Sequence, residues 1–178
     1  DEYGYTVIAP GFGFLRDVFT EPYIVNWKLT RQGAVSDGMP GVTIPYEAFP
    51  GSIGVMPGNS EIDKILKREA NLAGAGGAVL GPSGPGALPA ELCGEGGKFE
   101  QRCLRTIPPR ENGGNMDVQQ QQVGTRMLFP CFIDGCGLFV GDVHYAQGDG
   151  EVSGTAIEMG SVTTLRVVKI HKGKGKSM

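Results

Sequence analysis

Almost every apolar run in this chain is cut short by glycine or proline. Thirty of the 178 residues are glycine and twelve are proline, residues that penalise helix interiors and favour turns. Between Pro40 and Pro57 the apolar pieces VTI and SIGVM alternate with this punctuation, a pattern of short strands and loops that suits a sandwich. Tyr23–Leu29 reads as a strand after the turn-rich opening GYTVIAPGFGF. Further on, RMLFPCFI, GLFVGDVHYA, GEVSGTAIEM and VTTLRVVKI follow one another closely. Four strand-like segments in succession predict an antiparallel sheet. One segment has helical spacing. Ser60 is placed to cap it, Ile62, Ile65, Leu66 and Leu72 recur at helical intervals, Glu61 and Asp63 suit its first turn, and Gly74 ends it. The expected fold is therefore mainly β: an antiparallel, sandwich-like core with one principal helix near residues 60–73.

At this length the chain is expected to form a single domain, residues 1–178, large enough to bury a core. Residues 74–97 are dominated by Gly, Ala and Pro and read as a surface loop; a linker or an excursion beside a pocket are the alternatives. A formal net charge of −3 argues against a broad nucleic-acid footprint. The basic tail Lys169–Lys176 reads as a solvated end. No apolar run approaches the roughly 20 residues that span a membrane. Cys93, Cys103, Cys131 and Cys136 show neither a CxxC pair nor the spacing of a structural zinc site. Cys131 and Cys136 read as small core residues, and four free thiols predict a reducing, cytoplasmic setting. The start at Asp1, without a signal peptide, reads as an internal point of a longer gene product.

The chemistry is concentrated between Gly141 and Glu158, where Asp142, His144, Gln147, Asp149, Glu151 and Glu158 stand among glycines. Unpaired buried carboxylates are costly, so such density points to a use. In an extended strand Asp142 and His144 face the same way. With acids on the following turn, they suit a hard or borderline divalent ion such as zinc. The alternative is an acidic hairpin carrying a surface histidine.

This segment and RTIPPRENGGNMD closely resemble the acetamidase/formamidase family of metal-associated amidases. The resemblance continues through GYTVIAPGFGFL, MPGVTI and GSIGVMPGNSEIDKILKREA, so it covers nearly the whole chain. It implies a β-sandwich-based fold and hydrolysis of short aliphatic amides such as formamide or acetamide, releasing ammonia and a carboxylic acid. Family members are longer at both ends, and their upstream segment often carries histidines suited to be further ligands. Here the histidines are His144 and His171. Either the rest of the site comes from another piece, through a homo-oligomer or a chain supplying the missing segments, or this chain is a non-catalytic assembly or binding subunit that keeps the fold core. A carbohydrate-binding sandwich with a structural calcium ranks last, because aromatics are few.

On that resemblance, Asp142, His144 and Asp117 are the expected metal ligands, with zinc the leading ion and calcium the second. Glu158, preceded by apolar Ala156 and Ile157, is the expected general base and later acid. Asp149 and Glu151 are expected to assist it, completing the metal shell or orienting His144. Asn112, Asn115 and Gln147 offer the paired donor and acceptor functions that an amide needs. Gly114 would present its N–H to an oxyanion, and Arg110 would stabilise developing charge. Without the resemblance, Pro108 and Pro109 simply stiffen a turn that the asparagines satisfy.

Overall fold

In β2, Tyr23–Leu29, every second residue is apolar and buried: Val25, Trp27 and Leu29 point inward while Ile24, Asn26 and Lys28 are exposed. This alternation makes the strand one wall of the core. The computed structural model describes residues 2–77 and 89–167. Around β2 lie β1 (Tyr3–Ile8), β3 (Ala34–Val35) and β4 (Thr43–Ile44), forming an antiparallel sheet in the order β1-β2-β3-β4. A second antiparallel sheet has the order β6-β5-β7, built from β5 (Phe49–Gly54), β6 (Gly113–Asn115) and β7 (Phe139–His144). Among the described residues two helices accompany the sheets: α1 (Asn59–Gly74) and the short α2 (Ala90–Cys93). The chain is thus mainly antiparallel β with one principal helix, as its punctuation predicts.

Residues 155–159 join the two sheets. The Tyr5 and Glu158 amides each donate to the other residue's carbonyl, at 3.1 and 2.8 Å. On the other side, the Tyr145 amide donates to the Ile157 carbonyl and the Met159 amide to the Val143 carbonyl. Gly4 permits this approach, since a Cβ there would lie 2.6 Å from the Glu158 carbonyl oxygen. Val25, Trp27, Leu29, Ala34, Tyr145, Ala146 and Ile157 share one core cluster. Each large apolar side chain in it contributes about 1.5–3 kcal/mol of burial. The Trp27 Nε1–H donates to Thr6 Oγ1, which in turn donates to the Ala156 carbonyl, so the polar atoms at the seam are satisfied.

Several local expectations are corrected. Gly58, not Ser60, is the N-cap of α1, and its carbonyl accepts the Glu61 and Ile62 amides. Ile65 anchors the helix in the core, whereas Leu72 is exposed. The segment RMLFPCFI is not a strand: Pro130 removes a ladder donor, and a Cys131–Cys136 disulfide closes the following turn. GEVSGTAIEM enters the sheets only through the bridges of Glu158, after a turn over 151–154. Residues 162–167 of VTTLRVVKI form no strand, and residues 168–170 lie outside the described residues, as do 78–88, His171 and the basic tail. The four cysteines are paired as Cys93–Cys103 and Cys131–Cys136, and Cys131 is exposed. The free-thiol reading therefore falls, and with it the thiol argument for a reducing compartment. Among the described residues no helix is long and apolar enough to cross a membrane.

Candidate metal centre

β7 ends on His144, whose side chain is 1% exposed and stands edge-on to Phe49 on the paired strand β5. Gln147 fixes the ring. Its Nε2 donates to the Asp117 carbonyl at 2.8 Å, which turns its Oε1 toward His144 Nδ1 at 2.9 Å. An amide oxygen only accepts, so Nδ1 carries the proton. In the neutral ring, Nε2 then presents its lone pair.

That Nε2 faces four carboxylates. Asp142 Oδ1 and Glu158 Oε2 lie 3.4 Å away, Glu151 Oε1 3.9 Å and Asp117 Oδ1 4.0 Å. Two overlapping sets, Asp117–Asp142–His144 and His144–Glu151–Glu158, each hold their ligand atoms within 4.8 Å of one another. The strand-face pairing of Asp142 with His144 is present, but Asp142 reaches the cluster with φ at 56°. Asp117 and Glu151 share this left-handed backbone, at 48° and 43°. Non-glycine residues seldom adopt it, and such strain gathers where geometry serves a site.

Gly51 forms the floor. A Cβ there would lie 2.7 Å from Asp117 Oδ1, Asp142 Oδ2 and His144 Cε1 alike. Its carbonyl accepts both the Met116 and Asp117 amides, drawing the end of the β6 segment onto β5. Beside it, Ser52 Oγ donates to Asn115 Oδ1 at 2.9 Å and lies 3.3 Å from Asp142 Oδ2. Gly51 and Ser52 have no role in the reading of the sequence. The signal was their place in GSIGVMPGNS, but neither residue type advertises chemistry.

The electrostatics follow from confinement. Burial pulls the His144 pKa down, yet hydrogen bonding to Asp142 and the charges of Glu158, Asp142 and Glu151 raise it to about 9. Burial, then the Asp117 charge, pushes Glu151 up to about 7 despite His144. Burial also raises Asp117, helped by Asp142, and raises Glu158 against the pull of His144. Asp142 is lowered by its hydrogen bond to His144, which outweighs burial.

The donor set fits a divalent cation. Asp117 Oδ1 is buried without a hydrogen-bond partner, and a buried oxygen in that state calls for one. Ligand atoms about 2.1 Å from one tetrahedral ion stand roughly 3.4 Å apart, matching the closest Nε2–carboxylate separations. Imidazole and carboxylate donors together are those of divalent-cation sites.

An open cleft of about 280 Å³ leads to this cluster, with Tyr5, Val7, Asn115 and Thr155 among its walls. Other residues expected at the substrate are engaged elsewhere. Asn112 is buried, donating from Nδ2 to the Val55 carbonyl at 2.8 Å and so clipping the end of β5. Arg110 pairs with Glu69 of α1 at 2.7 Å and donates to the carbonyls of Arg105 and Pro108. Gly114 is paired with Ile53 in the β5–β6 ladder. Asp149 is exposed and accepts from Gln119 outside the cluster. Gln147 orients His144 and Asp117.

The model of the Acetamidase/Formamidase family matches residues 1–178. This chain belongs to the acetamidase/formamidase family. It is 33% identical over 177 residues to the acetamidase of Mycolicibacterium smegmatis, covering 92% of this chain and 42% of that protein. It is 33% identical over 173 residues to the formamidase of Methylophilus methylotrophus, covering 93% and 42%. Among solved structures, it resembles the gamma lactamase from Delftia acidovorans with TM-score 0.76 and 34% identity, over 88% of this chain and 41% of that one. An acetamidase from Bacillus halodurans shares the fold at TM-score 0.60 and 23% identity, over 89% and 39%. The chain thus spans about two fifths of the length of these acetamidase/formamidase relatives.

Proposed function

We propose that the His144 cluster is a divalent-metal centre serving hydrolysis of a short aliphatic amide to ammonia and a carboxylic acid. The observation that carries this reading is the buried His144 Nε2 facing four carboxylates over the bare floor of Gly51. Its context is a chain that matches the acetamidase/formamidase family throughout. Asp117, Asp142 and His144 would hold zinc. A zinc ion there supplies Lewis acidity and lowers the pKa of a bound water from roughly 16 to roughly 7.

The chain's own residues divide the remaining work. Glu151, whose carboxyl burial and the Asp117 charge raise in the cation-free cluster, faces the site and would take a proton and return it to the departing amine. Glu158, also raised, is its partner; its Oε1 is steadied by the Ala156 amide at 3.0 Å. Asn115 spends one Nδ2 proton on the Ile107 carbonyl and keeps the other for a substrate oxygen.

Because the chain spans two fifths of its relatives, full activity is proposed for an assembly with a second copy or with a chain carrying the remaining family segments. Strongly exposed apolar residues support such a partner: Phe14 is 78% and Leu128 84% exposed. The competing reading, a non-catalytic assembly subunit, draws on the same exposure.

Ammonia release from formamide and acetamide, measured alone and with candidate partner segments, tests the proposal. A chelator is expected to suppress the activity, and Glu151→Gln or Glu158→Gln to lower kcat by about 10²–10⁴-fold. Zinc binding without hydrolysis in any assembly would favour the subunit reading. Activity indifferent to chelation would remove the metal.

A further inference from the structure

Beside the polar cleft lies a second open cleft, of about 310 Å³, lined by the apolar Ile8, Phe12, Leu15, Phe19 and Val152 together with Asp149 and Ser153. The loop between β1 and β2 supplies three of these side chains. It is pinned in place, because the Phe14 amide donates to the Val152 carbonyl at 2.8 Å and the Phe12 ring lies against Gly154. Glu151 and Thr155 line this cavity and the polar cleft alike. Glu151 also faces His144 Nε2. The two spaces therefore adjoin at those two residues, one lined mainly by polar groups and the other by apolar ones.

Formamide and acetamide leave the apolar end unused. An apolar cavity of about 150 Å³ suffices to hold benzene, and this one is about twice that size. Resting on the amide reading above, we propose that the cavity formed by Ile8, Phe12, Leu15, Phe19 and Val152 takes an apolar substituent of the amide substrate. Within the aliphatic amides, the preferred substrates are then those whose acyl group carries a branched chain, and phenylacetamide serves as a bulky probe of the same space. Leu15 and Phe19 determine specificity, since each offers a free apolar face to the cavity, being 48% exposed.

The test is a ligand series, acetamide, butyramide and phenylacetamide, titrated into the full chain in whichever assembly it forms, with zinc present. Saturation-transfer NMR and calorimetry read the affinity. Burial of each methylene is expected to tighten binding about fourfold, and phenylacetamide to exceed acetamide by more than about tenfold. Leu15→Ser and Phe19→Ser are expected to flatten the gradient, and their exposure spares the core. Equal affinity across the series, or a gradient unchanged in both variants, overturns the proposal. A zinc titration of the same samples reads the His144 cluster separately. A gradient without zinc binding upholds the apolar site and removes the metal centre; zinc binding with a flat series overturns the apolar site alone.

Discussion

Gln147 Oε1 sits 2.9 Å from His144 Nδ1 while its Nε2 is held by the Asp117 carbonyl. One side chain thereby sets the tautomer of the histidine and the backbone position of an acid opposite it. Replacing it by leucine is expected to lower zinc affinity about 10–100-fold, the usual scale for a group that orients a ligand. Gln147→Glu, which keeps an acceptor for Nδ1, is expected to retain more of the affinity. Competition titration against a chromophoric chelator distinguishes the two, and equal losses would contradict the orienting role.

Gly51→Ala places a methyl group where three site atoms already crowd at 2.7 Å. Overpacking of this kind costs about 1–3 kcal/mol. Zinc affinity is expected to fall about tenfold or more, because Asp117, Asp142 and His144 must all retreat. Circular dichroism should show the β fold retained. Unchanged zinc binding would show that the floor has room to spare.

The cation-free protein is expected to lose stability as pH rises. His144 is raised from 6.5 to about 9, so its stabilising contribution is complete below about 6.5 and is lost as pH climbs through about 9. Glu151 is raised from 4.5 to about 7, so its contribution is complete below about 4.5 and is lost through about 7. Both act in the same direction. Calorimetry at pH 6, 7.5 and 9 should show Tm falling without a cation and falling less with zinc, which compensates the carboxylates. A Tm that rises with pH in the cation-free protein would contradict the assignment.

Away from the site, Glu69 of α1 neutralises two buried guanidinium groups, Arg105 at 3.1 Å and Arg110 at 2.7 Å. Their charges hold Glu69 below the usual carboxylate range against the opposing effect of burial. Glu69→Ala removes the carboxylate shared by both cations and is expected to cost roughly 3 kcal/mol. Urea denaturation measures it, and a loss below about 1 kcal/mol would mean that the arginines find other partners.

The site was legible in the sequence where its geometry is local. Asp142 and His144 are two residues apart on a strand, and Glu151 and Glu158 follow on the next turn, so chain proximity nearly implies spatial proximity. The helix was legible for the same reason. Gly51 was not: it meets Asp142 only through the β5–β7 pairing, and its contribution is an absence of atoms. Asn112 and Arg110 misled because their motif is close to the site while their side chains turn to Val55 and Glu69. The disulfides were hidden by spacings of 10 and 5 residues, which allow a bridge without requiring one.

Glu158 lends its backbone to the seam between the sheets and its carboxylate to the cluster, in a single residue. Anything that grips the carboxylate therefore also grips the seam. Were a cation to bind there at a hundred times its Kd, it would add about 2.7 kcal/mol to the stability of the fold. On the metal reading, filling the cluster and holding the two sheets together would then be one event, felt at Tyr5 and His144 through the bridges of Glu158.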